Sequence, residues 1–384
     1  MKYLRYLGLP ILVVIGIYFT AKGQYWAWLY LLLLDSIIIG GDAFLGDDKS
    51  TPKYQYPSIL TALLFINLPL VFLLVCISTY MAGDVSSPIF EQTILALTGL
   101  DIALTRNGTE LWHLAGYVFA GGLLVGSAAT VPGHELVHHK KKPLDWFMGN
   151  WMMAFSWDSG FSIEHVQGHH KNVGLSSDPA TAKRGEGLYR FFVRSSIQEH
   201  RDAWKIERKR LTKRGHYLIS YHNSLILGYA RSTLITAFIF LISGWNGVFM
   251  FLGIAVFAKL FLEAVNYMEH YGLVRVPGTP VALHHSWNTN KLVSSLLLYN
   301  LTRHSHHHEQ GSFEFWKLRP KANAPEMPYG YLSTLYLLVF FPWLYRRIME
   351  PKLEHWLDHY ACLLYTSDAA DDTPCVDLGG RRII

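Results

Sequence analysis

Long apolar runs broken by short polar segments set the frame of this chain. Leu7 to Thr20 is apolar after a start carrying Lys2 and Arg5, and Tyr25 to Leu45 is apolar again, with only Ala-Lys-Gly-Gln between them. Such spacing predicts a tight hairpin of two membrane helices rather than a cleaved leader, because no A-x-A-type site precedes the second run. Ser58 to Met81 has the length that a hydrocarbon core of roughly 30 Å requires. Leu111 to Val131 is a fourth run, rich in the small residues that let helices approach closely. Leu225 to Ser243 and Val248 to Tyr267 predict a second hairpin, turning at Gly244-Trp-Asn-Gly247. The shorter run Tyr331 to Tyr345 ends in Arg346-Arg347 and reads as an interfacial or buried helix. The pattern predicts an all-α integral membrane protein with six transmembrane helices, at about 7–20, 25–45, 58–81, 111–131, 225–243 and 248–267.

Composition supports this. Of 384 residues 51% are hydrophobic and 16% charged, against a usual charged share of about 25%. Loop charge orients the spans, since basic loops stay in the cytoplasm. The 82–110 connection holds Asp84, Glu91, Asp101 and Glu110 against Arg106 alone and should face outward. The 132–222 connection holds fifteen Lys and Arg against nine Asp and Glu and should face the cytoplasm. Six spans then leave both termini inside. Within the basic connection, Leu188 to Gly215 interleaves Tyr189, Phe191, Phe192, Ile197, Trp204 and Ile206 with Arg194, Arg208 and Arg210. This suits a helix on an anionic membrane surface, or a basic face that docks an acidic electron carrier. From Cys362 the chain turns small, polar and acidic, so residues 1–360 read as the membrane domain and 361–384 as an atypical tail. Cys76, Cys362 and Cys375 form no C-x-x-C pair. That excludes a thiolate zinc or iron–sulfur site, and another protein must bring electrons to any redox centre.

Four histidine clusters add chemistry. They are His134-Glu-Leu-Val-His138-His139, Glu164-His165-Val-Gln-Gly-His169-His170, Asn266-Tyr-Met-Glu269-His270-Tyr-Gly272 and His304-Ser-His306-His307-His308. Residues three or four apart share a helix face, so His134 can join His138, His165 can join His169, and His304 can join His307 and His308. Neutral imidazole is the commonest metal ligand, and ligands paired on several helices build an internal centre. The candidates are His134, His138, His165, His169, His170, His270, His304, His307 and His308. Nine ligands are too many for one ion and suit two. All-imidazole ligation favours a first-row metal, and redox chemistry in a reducing compartment points to two iron ions. Glu135, Glu164, Asp178 and Glu269 are placed to accept the far N–H of a ligating ring and fix its orientation, unless one of them bridges the ions. His139 and His306 adjoin ligands and point about 100° away. His284 and His285, in His284-His285-Ser-Trp-Asn288, read as support near the site.

His134-Glu135-Leu-Val-His138 also spells H-E-x-x-H, the zinc protease motif, but a protease would leave the three later clusters idle. A membrane metal transporter would line a path with polar residues, whereas these ligands gather at one end of the spans. Leu31 to Leu34, Ile37 to Ile39, Leu60, Leu63 and Leu64 offer an apolar lining for a hydrophobic substrate. Asp35 is an acid within a span and therefore functional or paired, with Arg231 and Lys259 as partners to test. Lys259 and Glu263, four apart, are placed to neutralise each other.

The combined motifs HELxH, EHxxGHH, NYxEHYG, LHHSWN and RHSxHH resemble those of the membrane-bound alkane monooxygenases and the related xylene monooxygenase hydroxylase subunits. The likeness covers most of residues 1–360, including Lys317-Leu-Arg-Pro320 and Ala324-Pro-Glu-Met-Pro328. It implies a non-haem di-iron centre held by the nine histidines, and insertion of one oxygen atom from O₂ into a terminal methyl C–H of an n-alkane or methyl-aromatic. It also implies a rubredoxin or ferredoxin-type electron donor with its NAD(P)H reductase, and a multi-pass place in the bacterial inner membrane. Val137, His139, Val166 and His306 depart from the glycine, lysine, asparagine and aspartate that alkane hydroxylases often carry there. The alternative in the same superfamily is a fatty-acyl desaturase or hydroxylase, with three histidine boxes of similar spacing. The NYMEHYG motif and the H-x₃-H-H second box favour the monooxygenase.

Overall fold

The computed structural model describes residues 2–361; the tail from Cys362 lies outside the described residues. Among the described residues the architecture is helical, and five helices are long and apolar enough to cross a membrane. They begin with α1 (Leu4–Ala21), α2 (Trp26–Phe44), α3 (Pro57–Ala82) and α4 (Leu111–Val137). The short α5 (Pro143–Met153) and the amphipathic α6 (Leu188–Lys213) follow, and α7 (Ser224–His270) is the fifth apolar helix. α8 (Tyr331–Phe340) and α9 (Pro342–Trp356) close the bundle. The single helix expected from Tyr331 to Tyr345 is thus two. Pro342 can supply no backbone N–H, and it pushes Phe341 out of the helical region.

α7 has 47 residues and would run about 70 Å if straight. Gly244 interrupts it with φ 68° and ψ −163°, a setting that glycine adopts at no steric cost. The chain then turns back. Ser232 Oγ donates to the Ala154 carbonyl at 3.1 Å and Lys259 Nζ to Asp158 Oδ2 at 2.8 Å, yet on a straight helix these two donors would stand about 40 Å apart. The returning leg packs on α4, where a Cβ on Gly122 would lie 2.5 Å from Phe257 Cδ1 and one on Gly126 would lie 2.5 Å from Phe261 Cγ. Small residues there let two apolar helices close without a gap.

Both ends of the bundle can be told apart. Arg5, at the start of α1, pairs with Asp48, and Arg303, beside His304, reaches the same carboxylate at 3.5 Å. Thr105, in the acidic 82–110 connection, donates to the Ala21 carbonyl at the other end of α1 at 2.7 Å. The histidine segments therefore gather at the end that holds the start of α1, opposite the acidic connection. On that side Asp42, near the end of α2, accepts from Ser294 N at 2.9 Å, Ser294 Oγ at 2.6 Å and Ser333 Oγ at 2.8 Å. This ties the spans to the segment that carries His304.

α6 buries Leu188, Phe191, Ser195, Glu199, Ala203, Glu207 and Leu211 at helical spacing. Tyr189, Val193 and Ile197 form an exposed apolar stripe on another face. Arg210 is held by Glu207, at 2.6 Å, while Arg208 and Lys209 are exposed. The apolar stripe suits the membrane-surface arrangement better than a uniformly basic docking face would.

Gly122→Ala is expected to destabilise the protein by about 1–3 kcal/mol, because its methyl has nowhere to go. Gly40→Ala, on α2 with nothing within 4 Å, is expected to be neutral or to stabilise by up to about 1 kcal/mol. Thermal unfolding of the two variants in the same detergent reads the difference, and equal midpoints would contradict the packing described.

Candidate metal centre

Two π turns shape the site. One, Gly126–Thr130, lies in α4 just before Pro132, whose missing N–H leaves a carbonyl one turn back without its helical partner. The last turn of α4 then carries His134, with His138 just beyond it. The other π turn is His165–His169. Bonding i to i+5 brings residues five apart toward one face, so His170 rather than His169 lies with His165. His270 ends α7, and a six-residue helix, His304–Glu309, presents the last cluster.

The nine histidines fall into two groups. His134, His138, His165, His170 and His307 form one, and His169, His270, His304 and His308 the other, with ligand atoms inside each group all within 4.8 Å of one another. The expected partnerships of His165 with His169 and of His304 with His307 are thus split between the groups. The π turn accounts for the first, and the 100° step between His307 and His308 for the second. The groups adjoin: the His170 and His308 ring centroids are 4.5 Å apart.

The donor sets fit metal ions. His134 Nε2 and His165 Nε2 are 2.8 Å apart, His165 and His170 Nε2 3.2 Å, and His170 and His307 Nε2 3.1 Å. In the second group, His304 Nε2 lies 3.3 Å from His270 Nε2 and 2.9 Å from His308 Nε2. Imidazole–metal bonds of about 2.1 Å place neighbouring donors of one ion about 3 Å apart. His138 Nε2 and His169 Nε2 are buried without a hydrogen-bond partner among the described residues. Burial, and after it neighbouring rings, hold His138, His165, His170, His304 and His308 well below the ordinary histidine pKa. Burial likewise pushes His307 down to about 3. All are neutral near pH 7, which is the ligating form.

Bonds on the far side aim several of these rings. Asp178 Oδ2 accepts from His169 Nδ1 at 2.9 Å, which leaves the Nε2 lone pair free. Burial alone would raise the Asp178 carboxyl, but His169 and Thr181 outweigh it and hold it below its usual range. The His285 carbonyl accepts from His270 Nδ1 at 3.1 Å. Glu269 Oε1 stands 3.2 Å from His304 Nδ1 without an aligned hydrogen bond. Glu164 lies over Gly168, where any Cβ would meet its Oε1 at 2.2 Å, and burial pushes its carboxyl pKa well up. The glycine of E-H-x-x-G-H-H thus makes room for the glutamate. Glu135 accepts from the Phe315 N–H at 2.8 Å, so the H-E-x-x-H carboxylate is committed to backbone. His139 pairs with Asp145 at 2.9 Å and His306 Nδ1 accepts from Arg319 N at 2.8 Å, outside both groups. His284 also lies apart, its ring stacked on Tyr360 and its carbonyl accepting from Trp356 at 2.7 Å.

Two cavities lie along α4 and the returning leg of α7. A small one of about 20 Å³ is lined by Thr130, His134, His165, Phe261, Asn266, Glu269 and His304, so it touches both groups. A larger one of about 430 Å³ is lined by Trp28, Leu31, Leu32, Asp35, Phe119, Leu123, Phe257, Leu335, Tyr336, Val339 and Phe340. Phe261, pressed on Gly126, lines the small cavity one turn of α7 beyond Phe257, which lines the larger one. Of the expected apolar lining, Leu31 and Leu32 face the larger cavity, whereas Leu60 and Leu64 are packed in the core. Lys259 is not the partner of Asp35: its ammonium meets Glu263 at 2.6 Å, as the spacing predicted, and also Asp158 at 2.8 Å and Glu199 at 2.9 Å. Sequence reasoning missed Asp145, which pairs with His139 six residues away, Asp158 and Glu199, which meet Lys259 from distant segments, and Asn266, which lines the small cavity. Only Asn266, inside the NYxEHYG motif, carried a signal.

Removing the Asp178 carboxylate as Asp178→Asn is expected to weaken metal binding about 10–100-fold, read by competition with a chelator. In metal-free protein, the unfolded chain takes up protons on His307 below the ordinary 6.5 while the folded chain resists until about 3. Stability should therefore fall as pH drops through that window. Unfolding midpoints at pH 7.5 and 5 check this, and a flat profile would contradict the dry, neutral cluster.

Residues 110–338, more than half the chain, match the fatty acid desaturase family. Alkane 1-monooxygenase 2 of Alcanivorax borkumensis is 33% identical over 343 residues, 87% of this chain and 85% of the relative. Alkane 1-monooxygenase 1 of Pseudomonas aeruginosa is 30% identical over 87% of this chain and 85% of its own length. The xylene/toluene monooxygenase hydroxylase component XylM of Pseudomonas putida is 28% identical over 94% and 92%. Matched over that length, the chain belongs to the fatty acid desaturase family, in the branch that holds the alkane 1-monooxygenases.

Proposed function

We propose that the protein is a membrane di-iron monooxygenase that hydroxylates the terminal methyl group of a hydrophobic substrate, an n-alkane or methyl-aromatic. O₂ supplies the oxygen atom, and a rubredoxin or ferredoxin-type partner with its NAD(P)H reductase supplies electrons. One observation carries this reading: two enclosed imidazole groups meet at a small cavity that shares α4 and the returning leg of α7 with an apolar one. The named relatives support it, since they are alkane and xylene monooxygenases. The turn at Gly244 supports a reading of six crossings with two legs from α7, and the charge of the basic 132–222 connection supports a histidine end on the cytoplasmic side of a bacterial inner membrane.

His134, His138, His165, His170 and His307 would hold one iron, and His169, His270, His304 and His308 the other. Bound iron supplies the redox chemistry that activates O₂. The protein's own part is positioning and exclusion. Asp178 and the His285 carbonyl aim the rings of His169 and His270, Glu269 faces His304 Nδ1, Glu135 and Glu164 brace the segments that carry the ligands, and His284 supports the 283–288 turn. Phe161, Phe261, Leu262, Val265 and Leu301 wall the small cavity with apolar surface, so a methyl group is favoured there over water. Thr130 and Asn266 place the few polar atoms beside it. The substrate arrives from the bilayer, where it partitions, by way of the larger cavity.

Cells carrying the protein with a donor and reductase are expected to convert octane, hexadecane or xylene to primary alcohols, with octane giving 1-octanol. A double bond introduced into an acyl chain would instead place the protein among the desaturases. Phe261→Ala, which takes away part of the small cavity's wall, is expected to shift the preferred chain length by several carbons without abolishing turnover; an unchanged profile would mean that Phe261 does not bound the substrate.

A further inference from the structure

Two side-chain oxygens in the wall of the larger cavity, Asp35 Oδ1 and the Tyr336 hydroxyl, lie beside each other without an aligned hydrogen bond to one another or to any other described residue. Both atoms are buried. The third polar group in that wall, the Trp28 indole N–H, is already committed to the Trp112 carbonyl at 2.9 Å. No cationic side chain lines the cavity, and Lys259 is occupied by its three carboxylates. An unpartnered polar atom in a dry interior is costly, and an acid within a membrane helix marks function or pairing. The rest of the lining is apolar, which is how a ligand pocket looks when a few polar groups fix orientation.

We propose that Asp35 and Tyr336 form a binding station for the hydroxyl group of a primary aliphatic alcohol whose chain fills the apolar cavity. The chemistry selects this class. In either protonation state the Asp35 carboxyl keeps an acceptor oxygen, and the phenol of Tyr336 is a donor. One alcohol oxygen can donate to the first and accept from the second. A hydrocarbon satisfies neither, and an ether or ketone only the tyrosine. The station lies on the way to the histidines. Leu123 and Phe257 in its cavity are seven and eight residues from Thr130 and Val265 in the small one, or about 10–12 Å along each helix. A methyl group hydroxylated at the small cavity and drawn back would present its new hydroxyl to this pair. Only that origin of the alcohol rests on the function proposed above; the site itself does not.

The test is equilibrium binding of 1-dodecanol and dodecane to the full-length protein in lipid nanodiscs, each corrected for partition into empty nanodiscs. The wild type is expected to favour the alcohol about tenfold. Asp35→Leu and Tyr336→Phe should each bring that ratio close to one, and Tyr336→Phe removes a single atom, so folding is preserved. A wild-type ratio near one, or a ratio that both variants leave unchanged, would overturn the proposal. The source of the alcohol is read separately, in alkane turnover with the electron donor present. Inhibition by product as it accumulates, relieved in Tyr336→Phe, assigns the station to alcohol made in place. Inhibition by added dodecanol alone assigns it to alcohol from the bilayer. Should no alkane be hydroxylated while the binding ratio holds, the oxygenase reading fails and the alcohol site stands.

Discussion

Nine imidazoles crowded into a dry interior impose the strictest demand on this fold. Each neutral ring has one N–H and one lone pair. Where Asp178 or the His285 carbonyl takes the N–H of His169 or His270, the lone pair of the other nitrogen is left pointing inward. Lone pairs brought within about 3 Å of each other repel unless a cation or a shared proton stands between them, so the arrangement makes physical sense as two cation sites where the N–H groups are turned outward. Burial keeps the rings of His138, His165, His170, His304, His307 and His308 uncharged, and uncharged rings are the ones that bind metal. The same burial that would penalise a lone histidine is therefore what prepares this cluster.

Other features follow from holding that cluster against a membrane. Helices that cross lipid satisfy their own backbone, and the irregular segments are confined to the end where protein covers them. The π turns at Gly126–Thr130 and His165–His169 sit there, where they re-aim side chains toward the histidine groups. Glycines at 122 and 126 bring the returning leg of α7 close enough for Phe261 and Val265 to wall the reactive cavity. Asp42 and Arg303 knit the last histidine segment to the span ends through hydrogen bonds over long sequence separations. A hydrocarbon substrate can reach such a site from the lipid without crossing water.

Much of this was legible in the sequence, because apolar length and histidine spacing are local signals. The spans and the turn at Gly244 could be read directly, as could the identities of the histidines that converge. Their division between two groups could not. It depends on a π turn that places His170 with His165, and helical spacing alone put His169 there. The partners of Lys259 were half visible: Glu263 is one turn away, whereas Asp158 and Glu199 arrive from segments about 100 and 60 residues distant. Asp35 was recognised as an anomaly, but its neighbour Tyr336 comes from the far end of the chain and no pattern connects the two. Local chemistry was therefore readable where tertiary partnership was not.

The claim beneath all of this is that the two histidine groups hold a pair of iron ions. Metal analysis of the purified full-length chain tests it most directly: the expected result is close to two iron atoms per chain, and a single zinc per chain would contradict the account.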